Sequence, residues 1–294
     1  MPETVASCPL CNESQSVQFD QRDSRGYQVT NQLCANCGLV YQSPRMTETE
    51  LDTFYSHEYR QIYQGSEDPG KIDLSVQKAR AKVLVNILKE AGIENVQRFA
   101  DIGSSSGLLL ERIRDEYQCQ VVGIEPGQAY RDFAEKRGLK VYGTLKAVED
   151  AGEPVFDLIS LIHVLEHIPD PVSYLNKLRE KYLALDGKIL IEVPNLYAHE
   201  SFEIAHLTSF SRQTLFQAVK KAGYSRISIQ LHGLPRSNLI PLYITLLAGK
   251  STELPPQGPV EAERWIRLKR RTGMAHRRVI QRLFPRQAWL ADYR

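Results

Sequence analysis

Between residues 99 and 194 the chain alternates short apolar runs with helical ones, and this alternation limits the possible folds more than any other feature. FADI (99–102), VVGI (121–124), FDLISLI (156–162) and KILIEV (188–193) are too apolar for strands with one face in water. Strands of this kind are buried on both faces, which requires a parallel sheet with helices on each side. The spacing between them predicts helices over 79–91, 108–117, 128–137 and 171–183, with stops at Gly92, Gly138 and Asp186-Gly187. The expected core is therefore an α/β, doubly wound domain over 76–252. At 294 residues the chain has room for smaller attachments on either side of it.

The first attachment, over 1–45, is marked by four of the five cysteines. Cys8-Pro-Leu-Cys11 and Cys34-Ala-Asn-Cys37 form two C-x2-C knuckles with 22 residues between them. Two such knuckles offer four thiolates to one tetrahedral zinc, and a fully thiolate-coordinated site is structural rather than catalytic. A redox dithiol is the alternative, and it is disfavoured because no thioredoxin-like βαβ pattern surrounds either pair. Cys119 stands alone before a strand and reads as a small hydrophobe. Next comes a connector over 46–75, in which Tyr55, Tyr59 and Tyr63 recur every four residues. This is one helical face, either packed on the main domain or closing over a ligand, with Tyr59 then reaching the cofactor.

The first strand leads into Asp101-Ile-Gly103-Ser104-Ser-Ser-Gly107, at the sheet edge where open α/β folds bind ligands. The loop has no lysine for a nucleoside triphosphate, and it misses the middle glycine of the dinucleotide fingerprint. It suits a smaller cofactor lying against bare backbone. Glu125 ends the next strand, twenty-two residues past Gly103, where a carboxylate can accept both hydroxyls of a ribose. A ribose without a pyrophosphate, beside a loop open to a small zwitterion, describes S-adenosylmethionine.

Taken in order, FADIGSSSGLLL, VVGIEPG, FDLISLIHVLEHIPDPVSYLNKLREKYLALDGKILIEVPN and HLTSFSRQTLFQAVKKAGY resemble the motifs of the seven-stranded S-adenosylmethionine-dependent methyltransferases. The resemblance covers about half the chain. It implies a Rossmann-like seven-stranded sheet, with Asp101, Gly103, Ser104 and Gly107 along the methionine portion of the cofactor. Glu125 is then at the ribose, and His163 lies beneath the adenine and sulfonium. A zinc ribbon ahead of this domain resembles a subgroup that methylates sugars, often nucleotide-linked. Where that subgroup carries a Glu-His pair, this chain has Ala205-His206.

Transfer to oxygen or carbon needs an acceptor held in line with the sulfonium and a base for its proton. Histidine titrates near neutrality, and His206 and His167 are the candidates at the sheet edge. Glu166 either orients His167 or caps the next helix. The second attachment, 253–294, follows a proline-rich hinge and is basic, with ten Lys/Arg against three Asp/Glu after residue 260. A helix packed on the body, contact with an anionic membrane and contact with nucleic acid all fit this composition. The start of the chain has no basic region followed by an apolar run, so a cytoplasmic protein with reduced thiols is expected. The expected acceptor is a sugar, sugar nucleotide or glycolipid. An RNA methyltransferase and a non-catalytic scaffold are the alternatives.

Overall fold

The computed structural model describes residues 2–54, 69–200, 202–251 and 258–290. The tyrosines at 55, 59 and 63, and with them the lid reading of Tyr59, lie outside the described residues.

A small antiparallel sheet comes first, built from β1 (Ser16–Ser24), β2 (Tyr27–Cys34) and β3 (Val40–Gln42). The main sheet then takes β4 (Arg98–Ile102), β5 (Gln120–Ile124), β6 (Lys140–Tyr142), β7 (Phe156–Ile162) and β8 (Leu183–Pro194). After β9 (Thr208–Ser209), which adds to the small sheet beside β3, come β10 (Tyr224–His232) and β11 (Tyr243–Lys250). The seven main strands run in the order β10-β11-β8-β7-β4-β5-β6. The pairs among β4 to β8 are parallel, and β11 is antiparallel to both its neighbours.

The apolar strands are covered on both faces, as their composition demands. Phe99, Leu158 and Leu190 pack with Leu84, Leu88, Leu110 and Ile113 from helices Lys71–Glu90 and Leu108–Tyr117. Ala100, Ile159 and Ile191 face the other way, onto Leu175 and Leu178 of helix Pro171–Lys181. Strand order reverses at β4, whose neighbours are β5 and β7, and the loop after it opens there.

Several boundaries differ from the sequence expectation: the helix expected over 128–137 ends at Glu135 and that over 171–183 at Lys181. The helix expected over 79–91 begins at Lys71, with Asp73 in its first turn, so it carries polar residues to the sheet edge. Strand β8 begins at Leu183 rather than 188, because Leu183 already pairs with Phe156 before a register shift.

The attachments are not detached. Cys8, Leu10, Cys34, Cys37 and Leu39 join the same buried cluster as the strands of the main sheet. The basic segment folds back as helix Ile266–Leu283. Ahead of it, the Glu263 amide donates to Cys37 O at 2.9 Å, and the Ser211 hydroxyl donates to the Glu263 carboxylate at 2.7 Å. Arg270 and Arg277 donate to the carbonyls of Leu196, His199 and Ala198, and Arg267 donates to Phe19 O. A Cβ on Gly273 would lie 2.1 Å from Tyr197 O, so the helix is pressed directly against that turn. Among the described residues, no helix is long and apolar enough to cross a membrane.

Candidate functional site

The loop after β4 is shaped by backbone that only glycine tolerates well. Gly103 has φ +72°, and a Cβ there would meet Val164 Cγ2 at 2.5 Å. Its amide and that of Ser104 both donate to Ile124 O, at 2.7 and 3.0 Å, which ties the loop to the end of β5. Glu125 follows at once and is buried. Its Oε2 accepts the Ser105 amide and its Oε1 the Gly127 amide, both at 2.9 Å. The carboxylate is therefore fixed before any ligand arrives. Each oxygen has a second lone pair, so accepting two ribose hydroxyls remains compatible with these bonds.

A cavity of about 610 Å³ opens in front of this loop, within the range of roughly 300–1,000 Å³ common for small-molecule sites. Asp101, Gly103, Ser104, Glu125 and His163 line it. Gly107 does not. It stands at the start of the next helix with φ +77°, where a Cβ would strike Leu139 Cδ1 at 2.4 Å, so its constraint is packing. Asp101 is buried at the back and accepts the Ser160 hydroxyl at 2.5 Å. Burial pushes its carboxyl up to about 7; the Ser160 bond opposes the rise and the Glu125 charge adds to it.

The far wall of the cavity carries His163 and His167. His163 directly follows β7 in left-handed backbone, with Nε2 3.2 Å from Glu192 Oε1 and Nδ1 3.4 Å from Glu166 Oε1. Glu192 is buried in β8 and also meets Arg80 at 3.0 Å, Thr245 at 3.0 Å and His232 at 3.3 Å. Burial alone would raise its carboxyl. Arg80 and the two histidines instead hold it well below the usual carboxylate range.

His167 Nδ1 donates to Ala205 O at 2.8 Å, which makes Nε2 the acceptor nitrogen. Burial pushes this imidazole down to about 4, which keeps it neutral and makes it a weak base at pH 7. His206 is buried behind it, outside the cavity lining, with ring centroids 4.9 Å apart. Its Nδ1 is 3.4 Å from Glu203 Oε1. Glu166 does not cap the next helix. Asp170 does, accepting the Ser173 amide at 3.0 Å.

A family profile described as "Methyltransferase domain" matches residues 76–229, just over half of the chain. The chain belongs to this methyltransferase family. Its members use S-adenosylmethionine, and the loop, Asp101 and Glu125 are a donor set compatible with that cofactor. Among curated relatives, the ubiquinone biosynthesis O-methyltransferase of Ruegeria sp. (strain TM1040) is 36% identical over 85 residues, which is 26% of this chain and 34% of that protein. The tRNA U34 carboxymethyltransferase of Sulfurimonas denitrificans is 27% identical over 139 residues, 45% of this chain and 47% of that protein. The matches thus span between a third and a half of those relatives. A solved S-adenosylmethionine-dependent methyltransferase from Archaeoglobus fulgidus covers 62% of this chain and 100% of its own, with 17% identity and a TM-score of 0.49.

The methyltransferase domain also brings in residues that the sequence reading did not single out. Gln77 accepts the Ser106 hydroxyl and donates to Asp73 at 2.6 Å and to Ser105 Oγ at 3.2 Å, bracing the loop from helix Lys71–Glu90. Tyr130 donates to the same Asp73 carboxylate at 3.0 Å. The sequence pattern starts that helix at 79, eight residues late, and so leaves Asp73 and Gln77 outside it. Away from the cavity, the Sγ atoms of Cys8, Cys11, Cys34 and Cys37 lie within 4.8 Å of one another, and a single tetrahedral ion fits this donor set.

Proposed function

We propose that the chain transfers a methyl group from S-adenosylmethionine to an oxygen or carbon of a small, hydroxyl-rich acceptor, a sugar, sugar nucleotide or glycolipid. One observation carries this reading: the buried Glu125 carboxylate and the imidazole of His167 line the same cavity, with the glycine loop between them. The cofactor supplies an electrophilic methyl on a sulfonium. Asp101 would bind its ammonium, the loop backbone its methionine chain and Glu125 its ribose. His167, backed by His206, would position the acceptor opposite. The cavity rim bears Thr144, Lys146 and Lys177, which suit hydroxyls or a phosphate-bearing sugar.

The ribbon cysteines would hold a structural zinc. Three arginines of the basic segment, Arg267, Arg270 and Arg277, donate to backbone carbonyls of the protein itself. This use of the arginines supports a small acceptor over RNA.

The test is calorimetric titration of zinc-loaded protein with S-adenosylhomocysteine, alongside Glu125→Ala, followed by methyl transfer from labelled cofactor to sugar nucleotides. Micromolar binding lost in the variant, and label on the sugar, are expected. Label on RNA with affinity falling steeply in salt would overturn the acceptor class. Absence of binding by the wild type would leave a scaffold.

A further inference from the structure

Glu166, His167 and His206 present two imidazole nitrogens and one carboxylate oxygen within 4.8 Å of one another; His167 lines the cofactor cavity, and Glu166 and His206 are buried beside it. We propose that these three residues bind one divalent cation of the manganese-to-zinc series, separate from the ribbon site, and that this cation holds the acceptor hydroxyl.

The Glu166 carboxylate is the first observation. It is 2% exposed, and neither oxygen accepts a hydrogen bond among the described residues; His163 Nδ1, at 3.4 Å, is its ion-pair contact. Buried carboxylates are seldom left in this state, because an unmet buried acceptor is costly. The turn that carries it, Leu165–His167, gains nothing from Glu166 as a cap.

The second observation is how the histidines are held. Ligating imidazoles characteristically donate their remote N–H to a carbonyl or carboxylate, which fixes the tautomer and aims the other nitrogen. His167 has this arrangement with Ala205 O at 2.8 Å, and His206 faces Glu203 across 3.4 Å. Ala205 precedes His206, so a single segment both orients the first ligand and supplies the second. Two imidazoles and a carboxylate match zinc and the transition cations better than magnesium, and three protein ligands leave positions open for an acceptor.

The acceptor part of the proposal rests on the methyltransferase reading; the cation site does not. A hydroxyl placed against such a cation ionises more readily. Its proton passes to water and its oxygen bonds to the methyl carbon. The electron pair of the broken methyl–sulfur bond stays on sulfur, and the cation keeps its oxidation state.

The experiment titrates the full chain, loaded with one zinc per molecule, with Mn²⁺, reading the free-ion signal by electron paramagnetic resonance. S-adenosylhomocysteine binding and zinc content are measured on the same samples. One Mn²⁺ per chain is expected for the wild type, bound at least about tenfold more weakly by Glu166→Gln and by His206→Gln, with ribbon zinc retained in both. Mn²⁺ that does not bind up to about millimolar, or binds equally to the wild type and both variants, overturns the site. Mn²⁺ binding that depends on Glu166 and His206 in a chain unable to bind S-adenosylhomocysteine would keep the cation site and remove the methyltransferase reading.

Discussion

The two walls of the cavity are built in opposite ways. The loop wall is local. The Gly103 and Ser104 amides donate to Ile124 O and the Ser105 amide to the Glu125 carboxylate, so one strand-loop-helix stretch and the next strand end suffice. The histidine wall is assembled from distant pieces. His167 is oriented by a carbonyl thirty-eight positions later. The turn after β8 is in turn clamped by Arg270 and Arg277 of the basic helix. A wall made of contiguous backbone can serve a constant ligand, whereas a wall pieced together from loops can change with the acceptor.

One glycine packed behind each wall makes this contrast testable. Gly107→Ala should have the largest effect. It forces a side chain into left-handed backbone and drives a Cβ to within 2.4 Å of Leu139 Cδ1. The two penalties together amount to about 2–4 kcal/mol, read as a lowered denaturation midpoint with unchanged slope. A wild-type midpoint would mean that the helix start relaxes freely and the loop wall is less rigid than its hydrogen bonds imply.

Gly273→Ala should come next, at about 1–3 kcal/mol, because the added methyl meets the Tyr197 carbonyl and not a flexible side chain. The informative readout is location. Amide exchange should quicken over 196–206 and stay unchanged over 99–127, with S-adenosylhomocysteine affinity preserved. Exchange that quickens equally in both regions would show that the two walls are one cooperative unit.

The same division explains what the sequence made legible. The strand at 99–102, the glycine loop and Glu125 could be read because each depends on neighbours a few residues away. The seven-stranded sheet came from resemblance, and the parallel core from the apolar strands. Gln77, Arg80 and Glu192 were not legible, since their roles arise only when helix Lys71–Glu90 lies along the sheet edge. His206 was singled out, but its place behind His167 depends on a loop path that no local pattern encodes. The basic segment read as a tail because charge counting does not show that three of its arginines end on backbone carbonyls.

The smallest expected effect concerns Asp101, and it separates the walls by pH. Burial raises this carboxyl to about 7 from 3.8, so the folded, unliganded protein holds a proton there that the unfolded chain releases at much lower pH. Its contribution to stability is therefore fully present below about 4 and is lost as pH rises to about 7. Cofactor binding should run the other way. An ammonium partner needs the ionised carboxylate, so below pH 7 binding must first expel the proton. Affinity for S-adenosylhomocysteine should fall by up to about tenfold per unit as pH drops below 7, and level off above it. Asp101→Asn should bind more weakly and lose that slope, while Mn²⁺ binding at the opposite wall keeps its wild-type value. If the slope survives in Asp101→Asn, the proton belongs to another group, and the ammonium must be held by the loop backbone instead.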